Sequence, residues 1–173
     1  MSTVPRSVAD PTIGTPTFEP PVPQLDLITC FTVQLAGEPW QLGRTTDLGN
    51  RRIIPITGGH FRGPLLSGEI LNNGADWQVV TVDGTTIVDT RYLLKTHDGS
   101  LIYLQTYGFR HGPPEVLAEL AAGRIVEPNR YYFCINLRFE TAAENYKWLN
   151  NVIAVGSAIR LPQAVVYDAY AIR

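Results

Sequence analysis

Residues 77–109 read WQVVTVDGTTIVDTRYLLKTHDGSLIYLQTYGF. Three β-like runs, Trp77–Val82, Thr86–Leu94 and Leu101–Phe109, are separated by Asp83-Gly84 and Asp98-Gly99. Asp-Gly between two such runs is a strong hairpin signal, because the tight turn needs positive φ and glycine supplies it without a Cβ clash. Consecutive runs joined this way lie side by side and antiparallel.

Further apolar or alternating runs stand at Leu25–Leu35, Arg51–Ile56, Leu65–Leu71, Tyr131–Phe139, Val152–Val155 and Ala164–Ile172. Turn signals punctuate many of them, at Ala36-Gly37-Glu38-Pro39, Gly58-Gly59 and Asn72-Asn73-Gly74. Many strands with little helix predict an antiparallel barrel or sandwich. Two short helices interrupt the pattern. One follows Pro113-Pro114-Glu115 and stops at Gly123, with proline at the entry and glycine past the exit. The other is signalled by Thr141-Ala142-Ala143-Glu144, which has capping-box spacing. Both are too short to form a fold and read as covers or plugs on a sheet.

The clearest strand runs from Tyr131 to Glu140. Alternation puts Tyr131, Phe133, Ile135, Leu137 and Phe139 on one face and Tyr132, Cys134, Asn136, Arg138 and Glu140 on the other. The second face suits a hydrogen-bonding lumen or water equally well.

At 173 residues the chain suits one domain with a sizeable core. A net charge of −2 gives no field that would draw nucleic acid or an anionic membrane. No apolar run reaches the roughly 20 residues that span a bilayer, and the N-terminus lacks a secretory pattern. Cys30 and Cys134 stand far apart without a CxxC, so reduced thiols in a cytoplasmic protein are expected. Residues 1–23 hold six prolines and read as a flexible arm; residues 24–173 form the domain.

Motifs for nucleotide binding or a serine nucleophile are absent. His60, His97 and His111 lack metal-ligand spacing, so neither metal nor cofactor is expected. What remains is a set of charged and aromatic side chains on or beside strands. Asp89 and Arg91 share a face and form an acid–cation pair, read either as cavity lining or as a solvated strand face. Asp76, beside Trp77 and without a basic neighbour in sequence, suits a general acid, or simply accepts turn amides. With these candidate catalytic residues (Asp89, Arg91 and Asp76) go candidate substrate contacts at Trp77, Tyr107, Arg110, Tyr132, Arg138 and Glu140.

From Arg52 to Asn150 the sequence resembles the small β-barrel proteins of domain of unknown function 3237. The matching residues begin with Arg52-Ile53-Ile54-Pro55-Ile56-Thr57-Gly58-Gly59, Phe61-Arg62-Gly63-Pro64, Gly68 and Gly74-Ala75-Asp76-Trp77. They continue with Asp89-Thr90-Arg91-Tyr92, Asp98-Gly99, Arg110-His111-Gly112-Pro113, Tyr131-Tyr132-Phe133, Arg138-Phe139-Glu140-Thr141 and Tyr146-Lys147-Trp148-Leu149-Asn150. The family pattern usually has alanine where Thr90 stands and often arginine where Cys134 stands. The resemblance implies a single antiparallel β-barrel with a central cavity, of roughly eight to ten strands.

In such a barrel the expected function is a cofactor-independent isomerase or cyclase acting on a small aromatic, polyketide-like or terpenoid metabolite. Asp89, oriented by Arg91, takes a proton while Asp76 or a tyrosine delivers one, as in intramolecular hydroalkoxylation or double-bond isomerisation. A non-catalytic small-molecule carrier is the second expectation, and a lactone or ester hydrolase the third. The expected partner is a small molecule, with pairing into a homodimer left open.

Overall fold

The computed structural model describes residues 20–173. The first nineteen residues of the proline-rich arm lie outside the described residues. Ten strands follow from β1 (Leu25–Leu35), β2 (Trp40–Thr46), β3 (Gly49–Arg62), β4 (Ser67–Ile70) and β5 (Gly74–Thr81). They continue with β6 (Thr86–Thr96), β7 (Leu101–His111), β8 (Tyr132–Glu140), β9 (Ala154–Leu161) and β10 (Ala164–Ile172). One α-helix, α1 (Pro114–Ala121), links β7 to β8.

The sheet closes on itself as an eight-strand antiparallel barrel. From β6 to β10 each strand pairs with the next, and β10 pairs with β1. The long β3 completes the ring. Its first half pairs with β2 and β5, and its second half pairs with β1 and β4. Thus β4 and β5 share one barrel position, and β2 follows β1 along the other edge of β3. Closure leaves few unpaired strand edges, which is the usual way an all-β domain avoids edge-to-edge association. At the seam the backbones of Gln24 and Arg173 bond to each other in both directions.

Both Asp-Gly pairs are hairpin turns, with Gly84 at φ +87° and Gly99 at φ +83°. Gly58-Gly59 is not a turn. β3 runs straight through it, and both glycines have positive φ, 139° and 136°. A Cβ on Gly59 would lie 2.1 Å from the Thr32 carbonyl oxygen. The glycines let β3 change partners where the β1–β3 register shifts, a bulge-like device that reads as a turn from composition alone. β2 and the far half of β9 carry weaker signals and go unseen in the sequence.

Helix α1 begins at Pro114 and is followed by Gly123 at φ +73°, as the proline–glycine asymmetry predicts. The second predicted helix is a 3-10 segment, Glu144–Asn151. Its capping box does not form. The Thr141 hydroxyl accepts from the Ala143 amide at 3.1 Å and donates to the Leu101 carbonyl, while Glu144 pairs with Lys147.

The barrel interior divides by height. At the end closed by the 3-10 segment it is packed solid with Ile28, Phe31, Phe61, Leu94, Ile102, Leu104, Phe139 and Leu149. Phe31 stacks on Tyr167 at 4.6 Å and tilts against Phe61 at 5.4 Å. The buried face of β8 is Phe133, Ile135, Leu137 and Phe139. Its other face, carrying Tyr132, Asn136, Arg138 and Glu140, is exposed, which settles the ambiguity of that strand. Packing fills one half of the lumen and leaves the other half open.

Candidate functional site

The open half is a cavity of about 660 Å³ under α1. Its wall carries Arg52 and Ile54 from β3, Val80 from β5, Thr86 from β6, Arg110 from β7 and Arg160 from β9. Leu117, Ala118, Leu120 and Ala121 of α1 form its cover. A smaller void of about 30 Å³ lies deeper, lined by Asp76, Thr90, Thr106, Tyr92 and Tyr167 with aliphatic neighbours. Asp76 lines only the smaller void, and its cross-strand partner Ile54 stands on the wall of the larger cavity.

Alternation determines which side chains arrive here. On β5 the inward positions are Asp76, Gln78 and Val80; on β6 they are Thr86, Val88, Thr90 and Tyr92. The β5–β6 register would place Trp77 opposite Asp89, but that pair is absent from the ladder. The Asp89 amide instead donates to Asp76 Oδ1 at 3.1 Å. The carboxylate thus occupies a gap in the sheet. A donor chain meets it from the mouth: Arg52 Nε donates to Gln78 Oε1 at 2.9 Å, and Gln78 Nε2 donates to Asp76 Oδ2.

Burial raises the Asp76 carboxyl to about 6 from its ordinary 3.8. The Gln78 and Asp89 hydrogen bonds and the charges of Arg110 and Arg52 pull the other way but do not win. The arginines are perturbed too. Burial, reinforced by the like charges of Arg160 and Arg52, lowers Arg110 to about 10. Arg160 is lowered by burial and by Arg52, and Arg52 by burial. Arg110 donates to the Thr86 hydroxyl at 3.1 Å and lies over the Phe133 ring, while its buried Nε has no hydrogen-bond partner among the described residues. Deeper in, the hydroxyls of Tyr92 and Tyr167 bond to each other, as do those of Thr90 and Thr106 at 2.6 Å. Burial pushes both tyrosines far above their usual range.

Of the nine residues that stand out in the sequence, the barrel turns two inward: Asp76 into the smaller void and Arg110 into the larger cavity, 6% and 8% exposed. The other seven stand on the outer wall. Asp89 and Arg91 do pair, at 3.2 Å, but their side chains are 29% and 42% exposed. Arg91 also covers the Trp77 ring at 5.7 Å. Arg138 and Glu140 form an exposed ion pair at 2.9 Å. Tyr107 meets Phe109 edge-on at 5.6 Å, and Tyr132 stacks on His111 at 4.8 Å. The reason is the two-residue period of a strand. Thr90 and Tyr92 face inward, so the residues between and beside them cannot. Lys95, on the same face as Asp89 and Arg91, is the signal for the outward side. Arg52, Gln78, Thr86 and Arg160 do not stand out in the sequence. Only Gln78 carries a hint, two residues from Asp76 and therefore on its face.

The family model described as "Protein of unknown function (DUF3237)" matches residues 23–172. A UPF0311 protein of Rhodopseudomonas palustris is 40% identical over 153 residues, covering 86% of this chain and 97% of its own length. A β-barrel-like protein of Acinetobacter baumannii, known by crystal structure, is 56% identical with a TM-score of 0.81, covering 91% of this chain and all of its own. A protein of Penicillium herquei named hydroalkoxylation enzyme phnH is 28% identical over 138 residues, covering 80% of this chain and 76% of its own.

Proposed function

We propose that this chain, which belongs to the DUF3237 family of proteins of unknown function, is a barrel enzyme that moves a proton within one small organic molecule, with Asp76 as the group that takes and returns it. The observation that carries this reading is a buried carboxyl raised to about 6, which lines a small void and is joined through Gln78 to Arg52 on the wall of a cavity of about 660 Å³. A group with a pKa near the working pH exists in both forms and can serve as base and then as acid. The cavity volume falls within the usual range for small-molecule sites, about 300–1,000 Å³.

The step balances without a co-reactant. The Asp76 carboxylate takes a proton from a hydroxyl or an acidic carbon of the substrate. The freed electron pair forms a new C–O bond or shifts a double bond, leaving negative charge on an oxygen or carbon of the same molecule. The Asp76 carboxylic acid then returns the proton at another atom. The product has the mass of the substrate. Arg110 and Arg52 favour the oxyanion stage by their charge, and the wall of Ile54, Val80, Leu117 and Leu120 limits water. Similarity to the Penicillium herquei protein named a hydroalkoxylation enzyme supports addition of O–H across C=C as the first reaction to try.

The test is to add the purified chain to metabolite extract from a strain lacking its gene and follow the mixture by LC–MS. The expected result is a compound that changes retention at unchanged mass. With Asp76→Asn, conversion should fall by about 10²–10⁴-fold, the usual contribution of a positioned acid–base group. Undiminished conversion by Asp76→Asn refutes the reading. Gain of one water points to a hydrolase, and a compound retained unchanged points to a carrier.

A further inference from the structure

The charges around the cavity do not balance. Arg52, Arg110 and Arg160 reach it from three strands, each lowered by burial, and Arg110 and Arg160 also by the like charge of a neighbouring arginine. Among the described residues that line either void, the one acidic side chain is Asp76. It bonds directly to Gln78 and to the Asp89 amide, so none of the three guanidinium groups holds it. Arg52 donates to the Gln78 amide oxygen, and Arg160 Nη1 donates to the backbone carbonyls of Leu161 and Ala164. Among the described residues Arg110 has one hydroxyl partner, and its Nε, though buried, has none.

Cations withdrawn from water are costly unless paired, and a buried donor without an acceptor adds to that cost. An oxyanion that exists only fleetingly during turnover does not offset the repulsion in the resting state. A ligand that carries its own charge does. Guanidinium groups match the planar, two-oxygen geometry of a carboxylate. Beside Gln41 and Thr86, the side chains of Ile54, Val80, Leu117, Leu120 and Pro162 give the cavity an apolar wall that suits a hydrocarbon body.

We infer that the ligand of this cavity is an organic acid, with an apolar body under α1 and a carboxylate held by Arg110 together with Arg52 and Arg160. This names the substrate class and rests on the proton-transfer reading only for what happens after binding.

The test uses the purified full chain with 2-naphthoate, hexanoate, the neutral isostere 2-naphthamide and inorganic phosphate. Calorimetry gives affinities, and the arginine Nε–Hε signals in ¹H–¹⁵N spectra report contact. At least one carboxylate should bind below millimolar, about tenfold or more tighter than the amide, with the Arg110 Nε–Hε signal displaced. Arg110→Gln should lose about tenfold or more, and Arg110→Lys, which keeps charge but loses the fork, a smaller factor. Circular dichroism melts show whether each variant is folded. If one is not, Arg52→Gln takes its place with the same expectation.

Binding of neither carboxylate, equal binding of acid and amide, or affinity unchanged in the folded arginine variants overturns the inference. Phosphate binding alone does so as well. Asp76→Asn separates the two readings. It should still bind 2-naphthoate, and more tightly because a nearby negative charge is gone, whether or not turnover depends on Asp76.

Discussion

Replacing Asp76 by asparagine should change how stability depends on pH, and the size of that change can be worked out. The carboxyl titrates near 3.8 in an unfolded chain and about 6 in the barrel. At about 1.4 kcal/mol for each pKa unit, its ionised form costs the folded state about 3 kcal/mol. Between those two pH values the folded protein binds the extra proton. Wild-type stability is therefore lost as pH rises from about 4 to about 6, and the loss is complete above that. Asparagine does not titrate. The stability of Asp76→Asn relative to wild type should thus rise by about 2.5 kcal/mol from pH 4 to pH 7, the remainder of the loss falling below pH 4.

The absolute offset depends on how Gln78 reorients toward the new amide, but the pH-dependent part does not, because the other carboxylates cancel between the two proteins. Urea unfolding followed by circular dichroism at pH 4, 5, 6 and 7 measures it. In thermal melts the change corresponds to roughly 5–10 °C for a chain of this size. A difference that stays flat with pH, or falls as pH rises, would mean that Arg52 and Arg110 hold Asp76 ionised. The buried proton carrier would then be refuted along with the magnitude.

The Asp89–Arg91 pair, being half-exposed on the outer wall, should matter little: Arg91→Gln is expected to cost less than about 1 kcal/mol in the same unfolding assay. A loss of several kcal/mol would show that the pair is effectively buried. Gly59→Ala should be much worse, because its Cβ would meet the Thr32 carbonyl oxygen at 2.1 Å and its φ is +136°. A loss of about 3 kcal/mol or more is expected, and a variant as stable as wild type would mean that β1 and β3 do not close the barrel there.

The sequence alone determined the local geometry. Asp83-Gly84 and Asp98-Gly99 set two hairpins, Pro114 and Gly123 bounded α1, and alternation in Tyr131–Glu140 separated an apolar from a polar face. These signals are short-range, carried by φ preferences and by the two-residue period of a strand. The resemblance to a barrel family supplied closure and a cavity. Asp76 and Arg110 stand out in the sequence by residue type and position, but so do seven residues that the barrel turns outward.

Only the tertiary structure decided which face of each strand looks inward, because alternation defines two faces without saying which one the closing sheet encloses. It showed that Gly58-Gly59 is a mid-strand change of partner, since that depends on β1 and β4 arriving from elsewhere in the chain. It also gathered Arg52, Arg110 and Arg160 from β3, β7 and β9 around one space. Their proximity follows from strand register and barrel closure, and no local pattern in the sequence encodes it.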